Sequence, residues 1–537
     1  MDEKKEPKTP PKEVGLDISK GVDAYGYNSK EGADIPVLMP SADYSITGCS
    51  QDTKDAINPW QPLSYAVQST NVQINLSDIC WDLPDNPGLF VMIAGNLPQD
   101  FGFNAEIYPI TGEIGSSTAI DMLNTPAVIN QNTDNISWGL YRAGPGNFGL
   151  TDQYQAYLYM TDDQTSWMGN LVNYNPGSGQ KPFNAFFLSG AHDAGMFDST
   201  WLDNQDNLQA INAILAQVIE QQGVPSDLTK ALLGNSDVQE YLERFLVYFA
   251  FTQKEQVSTL LNLGVRYFDF RPGHIAKEVQ DQLPQVDTRL YHQHDFIPGY
   301  PYDSFLTDVL TWLESKPSEI VVISLSTNGF YDHSSMDPST TGLEQYWNNA
   351  VGATGSTVQI ATKDDLSSSY EDLIQDNKRV FFLNNLDGIA ADYYPASKFD
   401  TYDKKGQYYA TFDPNSLVDN VLNDISSADQ AGQDYSVVQI QGTCTEALAT
   451  NIQNEWNDNK VSCGKDIVEL VAACIDSNAA SFLMSTKPSF DSVTYPWVYQ
   501  NLAQKLPTEQ LTIVLNDFVD NALTDICSAL TATRLKS

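Results

Sequence analysis

Four short apolar segments with almost no polar interruption constrain the fold of this chain more than any other feature. They are Glu319–Leu325, Arg379–Asn385, Ser436–Ile440 and Leu511–Asp517. Runs of this kind are typical of parallel strands that are buried on both faces of a sheet. Because helical sequence separates them, the pattern predicts an α/β fold, a (β/α)8-like TIM barrel, over residues 179–537.

A further strand is predicted in Phe186–Met196, where apolar residues stop at a turn of small residues that carries His192 and Asp193. Gly190 and Ala194 leave room for a ligand to approach the backbone. A strand end with a titratable pair is where a β/α barrel places its chemistry. The alternative, a buried histidine hydrogen-bonded in an ordinary turn, stays open on this segment alone.

The remaining sequence predicts a second domain. The chain has 537 residues, and chains beyond roughly 250–300 residues usually divide into domains. Residues 41–178 contain short alternating runs separated by turn signals, which predict an all-β, sandwich-like domain. Residues 1–40 are expected to be a disordered or irregular leader. Helical periodicity at about 203–255 predicts an insertion in the barrel, either a lid or membrane-docking element or plain scaffold.

The charge of the chain excludes some partners. With 69 acidic and 29 basic residues, the net charge is −40. This charge argues against nucleic acid as a partner and against electrostatic capture by an anionic membrane surface. No run of about 18 apolar residues occurs, so no transmembrane segment is expected. The sequence leaves the oligomeric state open.

Six cysteines are present, two early in the chain and four late: Cys49, Cys80, Cys444, Cys463, Cys474 and Cys527. Their spacing matches no zinc pattern. Each group could close its own disulfide bridges, which favours an extracellular, secreted protein. The first 13 residues do not form a secretory signal, and a cytoplasmic location stays open.

A second strand is predicted at Gly264–Arg271 and a third just before Tyr291. Titratable residues recur at or near the ends of the predicted strands. They are His192, Asp193, Asp269, Arg271, His292, His294 and Asp517. Two histidines can act as base and acid near neutral pH, and a guanidinium can hold a phosphate with two hydrogen bonds. Carboxylates can fix histidine tautomers. The set predicts cleavage of a phosphodiester, although Arg271 with Asp269 could be a structural salt bridge and Asp517 could be a helix N-cap.

In these segments the sequence resembles the phosphatidylinositol-specific phospholipase C X-domain family, and it is most similar to the metal-independent bacterial type. The resemblance covers about residues 180–525 and consists of five motifs in order. They are Ser189–Asp193, Gly264–Arg271, Leu290–His292, Phe305–Leu325 and Val514–Val519.

The resemblance implies a role for each residue. His192 would be the general base that deprotonates the attacking inositol hydroxyl, with Asp517 orienting it. His292 would be the general acid, assisted by Asp193, and would protonate the diacylglycerol oxygen. Arg271 would bind the phosphate and Asp269 would hold Arg271 or a catalytic hydroxyl. The products would be a cyclic inositol phosphate and diacylglycerol.

Three points remain open in the resemblance. His294 could replace His292 as the acid, and is otherwise expected to contact the substrate. The segments Ser324–Thr327 and Leu383–Leu386 lack the basic residues with which the bacterial type binds its head group. The substrate could therefore be a phospholipid with another head group, or the barrel could bind lipid or glycan without catalysis.

The resemblance also implies that no cofactor is needed. The calcium-dependent type has an acidic residue at the position of Arg271, and its first histidine is followed by Asn rather than by Asp193. A guanidinium there would replace the metal ion, so calcium independence is expected. The expected partner is a phospholipid substrate at a membrane interface.

Overall fold

The computed structural model describes most of the chain from residue 127 onward and, before it, only a set of strands. Within 127–536 the structure leaves out 132–133, 143, 145, 151–153, 176, 222–224, 387–397, 401–408, 427–431, 477–478 and 480.

Eight parallel strands form the central sheet, and we number them β1 to β8. They are β1 (Phe187–Ala191), β2 (Tyr267–Phe270), β3 (Val321–Ser326), β4 (Gln359–Ala361), β5 (Lys378–Asn385), β6 (Lys398–Asp400), β7 (Tyr435–Gln439) and β8 (Leu511–Asn516). All five residues of β1 and all six residues of β3 and of β8 are buried. All five residues of β7 are buried too, and β5 is buried over its middle five residues, so the strands predicted from apolar runs are confirmed.

The order of the strands is that of a TIM-like barrel that is not closed within the described residues. Across the sheet the order is β4-β5-β3-β2-β1-β8-β7-β6, and every neighbouring pair is parallel. Without β4, the strands follow the chain around a ring in which the last strand, β8, pairs with the first, β1. The short β4 instead lies on the free edge of β5, so the predicted complete eightfold ring is not seen.

Helices cover the outside of this sheet. The helix Tyr302–Ser315 shows how, since Phe305, Leu306, Val309 and Leu310 repeat at helical spacing and are buried. The Phe305 ring stacks on Phe270 of β2 with centroids 4.4 Å apart. The other helices between the strands are Val257–Asn262, Lys277–Gln280, His333–Met336, Thr340–Thr354, Tyr370–Gln375, Pro414–Asn420, Cys444–Asp458, Lys460–Asp476, Lys487–Trp497 and Ala503–Lys505, and Asn521–Lys536 follows β8.

The third barrel strand expected just before Tyr291 was predicted wrongly. Residues Tyr291–His294 form a strand, but it pairs antiparallel with Pro272–Gly273 and Ile297–Pro301 in a separate three-stranded sheet. This small sheet follows β2 directly and stands beside its carboxyl end. In its sequence, YHQH, histidines alternate with Tyr291 and Gln293. The segment therefore lacks the apolar run that marks a barrel strand.

The predicted helical insertion contains four helices, which are Gln205–Gln221, Ser226–Leu233, Ser236–Glu240 and Leu242–Ala250. Buried residues of the last of them include Phe245, Leu246 and Tyr248. The chain then enters a buried segment, Thr252–Glu255, before the next helix.

Residues before the barrel form antiparallel and mixed sheets. Tyr154–Asp162 and Asp134–Arg142 pair antiparallel in a five-stranded sheet with Val128–Gln131, Leu89–Gly95 and Phe103–Ile107. Ala24–Asn28 pairs with Ala33–Val37, although 1–40 was expected to be irregular, because Tyr25, Tyr27 and Val37 favour strands. The other strands are Ile46–Thr47, Leu63–Tyr65, Thr70–Gln73 and Glu113–Ile114. The sandwich-like domain and its boundaries stay predictions.

The last two strands before the barrel are joined to it by buried contacts. The Tyr141 hydroxyl donates to the Met484 carbonyl at 2.5 Å, and the Tyr159 hydroxyl donates to Asp491 at 2.7 Å. Asn521 donates to the Asn135 carbonyl. These strands therefore share buried hydrogen bonds with the helices and loops around β8.

The cysteines of the barrel do not bridge as expected. Cys444, Cys463 and Cys527 are buried free thiols, and burial raises the pKa of each. A disulfide within the late group needs two of its four cysteines, and three of the four are free thiols. The prediction that the late group closes its own disulfide bridges is therefore wrong. Cys49, Cys80 and the Cys474 side chain lie outside the described residues. None of the helices that the structure describes is both long and apolar enough to span a bilayer.

Candidate active site

The predicted site residues meet at the carboxyl end of the barrel sheet. His192 and Asp193 directly follow β1, Asp269 lies in β2 and Arg271 follows it, and Asp517 directly follows β8. Because β8, β1 and β2 are neighbours in the sheet, residues more than 300 positions apart in the chain come into contact. His292 and His294 reach the same place from the small antiparallel sheet.

Asp193 stands at the centre of this cluster. Its Oδ1 lies 2.8 Å from Arg271 Nε and 3.4 Å from His292 Nε2. Its Oδ2 lies 3.6 Å from His192 Nε2 and 3.8 Å from His294 Nε2. Burial alone would raise the pKa of Asp193, but Arg271 and His192 outweigh it and hold the pKa well below its usual range. The single carboxylate of Asp193 thus lies between three imidazole rings and one guanidinium group and contacts all four.

The backbone at Asp193 is held in a left-handed conformation with φ = 44°, which is uncommon for a residue other than glycine. Two contacts with β2 fix it there. The Asp269 carbonyl accepts from the Ala194 N–H at 2.7 Å, and Asp269 Oδ2 accepts from the Asp193 N–H at 3.5 Å. Strain of this kind persists where the surroundings over-determine it, and it turns the Asp193 carboxylate inward.

His192 is paired with Asp517. Its Nδ1 lies 2.8 Å from Asp517 Oδ1, which leaves Nε2 directed at the cluster. Burial would lower the pKa of His192, but Asp193 and Asp517 outweigh it and raise the pKa to about 9. The alternative role of Asp517 as a helix N-cap is not seen, because Asp520 accepts the capping hydrogen bond from the Leu523 N–H.

Arg271 brings a permanent positive charge into the site. Besides Asp193, its guanidinium reaches Asp269 Oδ2 at 3.5 Å and His192 Nε2 at 3.4 Å. His192, Asp193 and Asp269 also form a group whose possible ligand atoms lie within 4.8 Å of one another. The donor set could hold a cation, but Arg271 already contacts all three residues. The guanidinium therefore lies against every residue of this donor set.

The two candidate acids differ in access. His292 is fully buried, its Nδ1 accepts from the Arg271 N–H at 3.1 Å, and its Nε2 faces Asp193. The side chain of His294 is 35% exposed and lines the pocket. Burial lowers the pKa of both, that of His294 to about 4. Of the two, His294 lines the pocket and His292 does not, although both lie against Asp193.

A pocket of about 330 Å³ opens over the cluster. One side is formed by His192, Asp193, Asp269, Arg271 and His294. The other side comes from the carboxyl ends of β3, β5 and β7 and the turns after them, and it carries hydroxyl and amide groups: Ser324, Ser326, Asn328, Asn385, Gln439 and Thr443. Asn385 donates to Ser324 at 2.9 Å, so this wall is partly pre-ordered.

The structure thus brings together all seven residues that the sequence singled out, and it shows others that sequence reasoning missed. The side of the pocket that carries hydroxyl and amide groups, called the neutral wall below, was recognised in the sequence only by its lack of basic residues. Thr252 and Gln253, which contact the backbone of His192, carry no recognisable motif. The sequence indicated only that these two residues lie at the end of the helical insertion.

Comparison with solved structures gives matches of low identity. A variant of the phosphatidylinositol-specific phospholipase C from Staphylococcus aureus is 12% identical, with a TM-score of 0.37, and the match covers 68% of this chain and 96% of that one. The phosphatidylinositol-specific phospholipase C from Listeria monocytogenes is 12% identical, with a TM-score of 0.33, and the match covers 68% and 98%. No family model and no curated protein matches this chain.

Proposed function

We propose that this chain is a metal-independent phosphodiesterase that cleaves phosphatidylinositol-type lipids between phosphate and diacylglycerol. The observation that carries the proposal is the Asp193 carboxylate, held by Arg271 and three histidines at the bottom of an open pocket. Base, phosphate ligand and acid for one in-line displacement are all within reach of that carboxylate.

In the proposed reaction His192 acts as the base. Asp517 binds Nδ1, so Nε2 accepts the proton of a head-group hydroxyl while the hydroxyl oxygen bonds to phosphorus. Arg271 binds the phosphate oxygens and stabilises their developing charge. The bond from phosphorus to the diacylglycerol oxygen breaks, that oxygen takes a proton, and a cyclic phosphate remains.

The proton for the leaving oxygen comes from the cluster around Asp193. The sequence motif favours His292 as its source, whereas the exposure of His294 in the pocket favours His294. We propose that His294 contacts the leaving oxygen, that the anionic phosphate in the pocket raises its pKa from about 4 so that it carries the proton, and that His292 positions Asp193. In this assignment His292 hydrogen-bonds Asp193 in the neutral form, with the proton on Nε2.

The proposed head group is an uncharged polyol such as inositol without further phosphates. Hydroxyl and amide side chains on the neutral wall match the hydroxyls of such a ring in polarity. The positive charge lies at the catalytic end, where it serves the scissile phosphate. A head group with a second phosphate would bring its charge to a wall that has no cation among its lining residues.

We further propose calcium independence, because Arg271 already contacts His192, Asp193 and Asp269. The predicted extracellular location stays a proposal.

A head-group panel tests the function. Vesicles of phosphatidylinositol, its phosphorylated forms, phosphatidylcholine and phosphatidylglycerol are incubated with the protein in excess chelator, and the released diacylglycerol is measured. We expect turnover of phosphatidylinositol alone. Turnover of another lipid alone would show that the proposed head group is wrong. Binding to vesicles without turnover of any lipid would contradict the enzyme and favour a lipid-binding barrel.

A further inference from the structure

The segment Thr252–Glu255 lies between the helical insertion and the next helix of the barrel, and it contacts the catalytic turns from behind. Thr252 and Gln253 are 1% and 0% exposed. Their backbone N–H groups both donate to the Met196 carbonyl, at 3.2 Å and 3.1 Å. The segment is thereby fixed to the turn that carries His192 and Asp193.

The Gln253 side chain joins the two turns that carry the His192–Asp517 pair. Its Nε2 donates to the His192 carbonyl at 2.8 Å and to the Asn516 carbonyl at 3.2 Å. Its Oε1 accepts from the Val519 N–H at 3.1 Å. All three contacts are to backbone atoms, and they lie next to or at the residues of the pair on both turns.

Thr252 adds a second set of contacts to the same turns. Its hydroxyl lies 3.1 Å from the His192 carbonyl and 3.2 Å from the Asp193 carbonyl, and its own carbonyl accepts from the Phe518 N–H at 2.7 Å. Phe518 has φ = 47° and Asp193 has φ = 44°, so both turns contain a strained residue. Such conformations need support from their surroundings.

We propose that Gln253 is a positioning residue, which holds the His192 and Asp517 turns at the spacing that their hydrogen bond requires. This inference rests on the proposed function for its kinetic part only. It also gives the helical insertion a purpose, because the insertion delivers Gln253 to the back of the site. The insertion then acts as a support for the catalytic pair.

A purely structural role is the competing explanation, and the chain offers a matched control for it. Gln510 is also buried, accepts from the Ser436 hydroxyl at 2.7 Å, and donates to the Gln433 carbonyl at 2.7 Å. It lies at the opposite end of the same strand, β8, away from the pocket. Loss of either amide leaves buried polar groups unpaired, but only Gln253 touches the turns of the pair.

The experiment compares Gln253→Met with Gln510→Met in the full chain. Methionine keeps the length and volume of glutamine and removes its hydrogen bonds without adding charge. We expect Gln253→Met to lower kcat by about 10- to 100-fold with little change in KM, since small displacements of catalytic groups have effects of this size. Gln510→Met should lower stability without changing kcat.

NMR titration of His192 gives a readout that does not depend on turnover. The chain has five histidines, so the ring resonances can be assigned by substitution. We expect the pKa of His192 to fall in Gln253→Met, because the Asp517 contact that raises it becomes longer, and to stay unchanged in Gln510→Met. If no lipid is turned over by the wild type, the proposed function fails while this titration still tests the positioning role.

Equal losses of kcat in the two variants, or an unchanged His192 titration in Gln253→Met, would overturn the inference. If Gln253→Met does not fold, Thr252→Val carries the same test, since it removes only the hydroxyl contacts to His192 and Asp193. That variant should shift the His192 titration in the same direction by a smaller amount. No shift in a folded Thr252→Val would then reject the role of the segment.

Discussion

The two sides of the pocket differ in charge and in how they are built. The charged side, formed by His192, Asp193, Asp269, Arg271 and His294, follows strands β1 and β2 and the small antiparallel sheet. The neutral side, formed by Ser324, Ser326, Asn328, Asn385, Gln439 and Thr443, comes from β3, β5 and β7 and their turns. In the proposed function the charged side supplies groups for bond cleavage and the neutral side supplies groups that can recognise hydroxyls. A sequence motif marks the first and not the second.

The largest expected effect is on the charged side. His192→Ala should lower kcat by about 10⁴-fold, the upper range for a general base, with the thermal midpoint nearly unchanged. His333→Ala is the matched control, because His333 is an exposed histidine paired with Asp337 outside the pocket. Steady-state kinetics and thermal melts compare the variants. Retained activity in His192→Ala would remove this residue as the base.

Asp517→Asn should have the next largest effect, at least about 10²-fold on kcat, because the imidazole loses its orienting carboxylate. The pH profile carries the sharper test. A base with a pKa of about 9 is mostly protonated at neutral pH, so on a substrate with an aryl leaving group, which needs no acid, kcat/KM of the wild type should rise with pH up to about 9. In Asp517→Asn the rising limb should move to lower pH. A wild-type profile on that substrate that instead falls as pH approaches 9 would remove His192 as the base.

Substrates with different leaving groups can show which of the two remaining histidines, His292 or His294, is the general acid. His294→Ala should lower kcat on phosphatidylinositol by about 10²-fold, as expected for loss of a general acid. A substrate with an aryl leaving group needs no proton at that oxygen, so His294→Ala should cleave it nearly as fast as the wild type. His292→Ala should be slow on both substrates, because Asp193 loses a contact. The reverse pattern would assign the acid to His292.

The neutral side should show smaller effects that fall on binding. Asn385→Ala removes a side chain that donates to Ser324 and lines the pocket, and should raise KM for phosphatidylinositol about 3- to 10-fold with little change in kcat. Kinetics over a range of lipid concentration separate the two constants. An effect on kcat alone would argue that this side does not bind the head group.

Chelation is expected to have no effect. Turnover in excess chelator should equal turnover with added calcium, because Arg271 already contacts the carboxylates of Asp193 and Asp269. Complete loss of activity with chelator, restored by calcium, would reject the guanidinium in that role.

Much of the barrel could be predicted from sequence because buried parallel strands leave a direct record in the chain. The apolar run at Leu511–Asn516 gives strand β8, and Asp517 follows it as the motif predicts. Periodicity could not place Tyr291–His294, because a short strand with alternating residues fits a small antiparallel sheet as well as a barrel. Edge strand β4 is three residues long and gave no signal.

Site residues could be predicted where their residue type is uncommon at that place in a sequence, and could not be predicted where the residue type is common. A histidine, aspartate or arginine at a strand end is unusual enough to be noticed, and those residues do meet. His292 and His294 lie two positions apart in one strand and both reach Asp193, so the alternation of the strand does not tell which of them faces the pocket. Gln253 bonds to backbone atoms of residues 61 and 263 positions away, and any glutamine in a loop looks the same in sequence.

The central claim, metal-free cleavage by attack of a head-group hydroxyl, is tested most directly by phosphorus NMR of the products formed from phosphatidylinositol in excess chelator. The account predicts a cyclic inositol phosphate as the first phosphorus-containing product of the wild type, and its absence with His192→Ala. Direct formation of an acyclic phosphate monoester, or of phosphatidic acid, would contradict it.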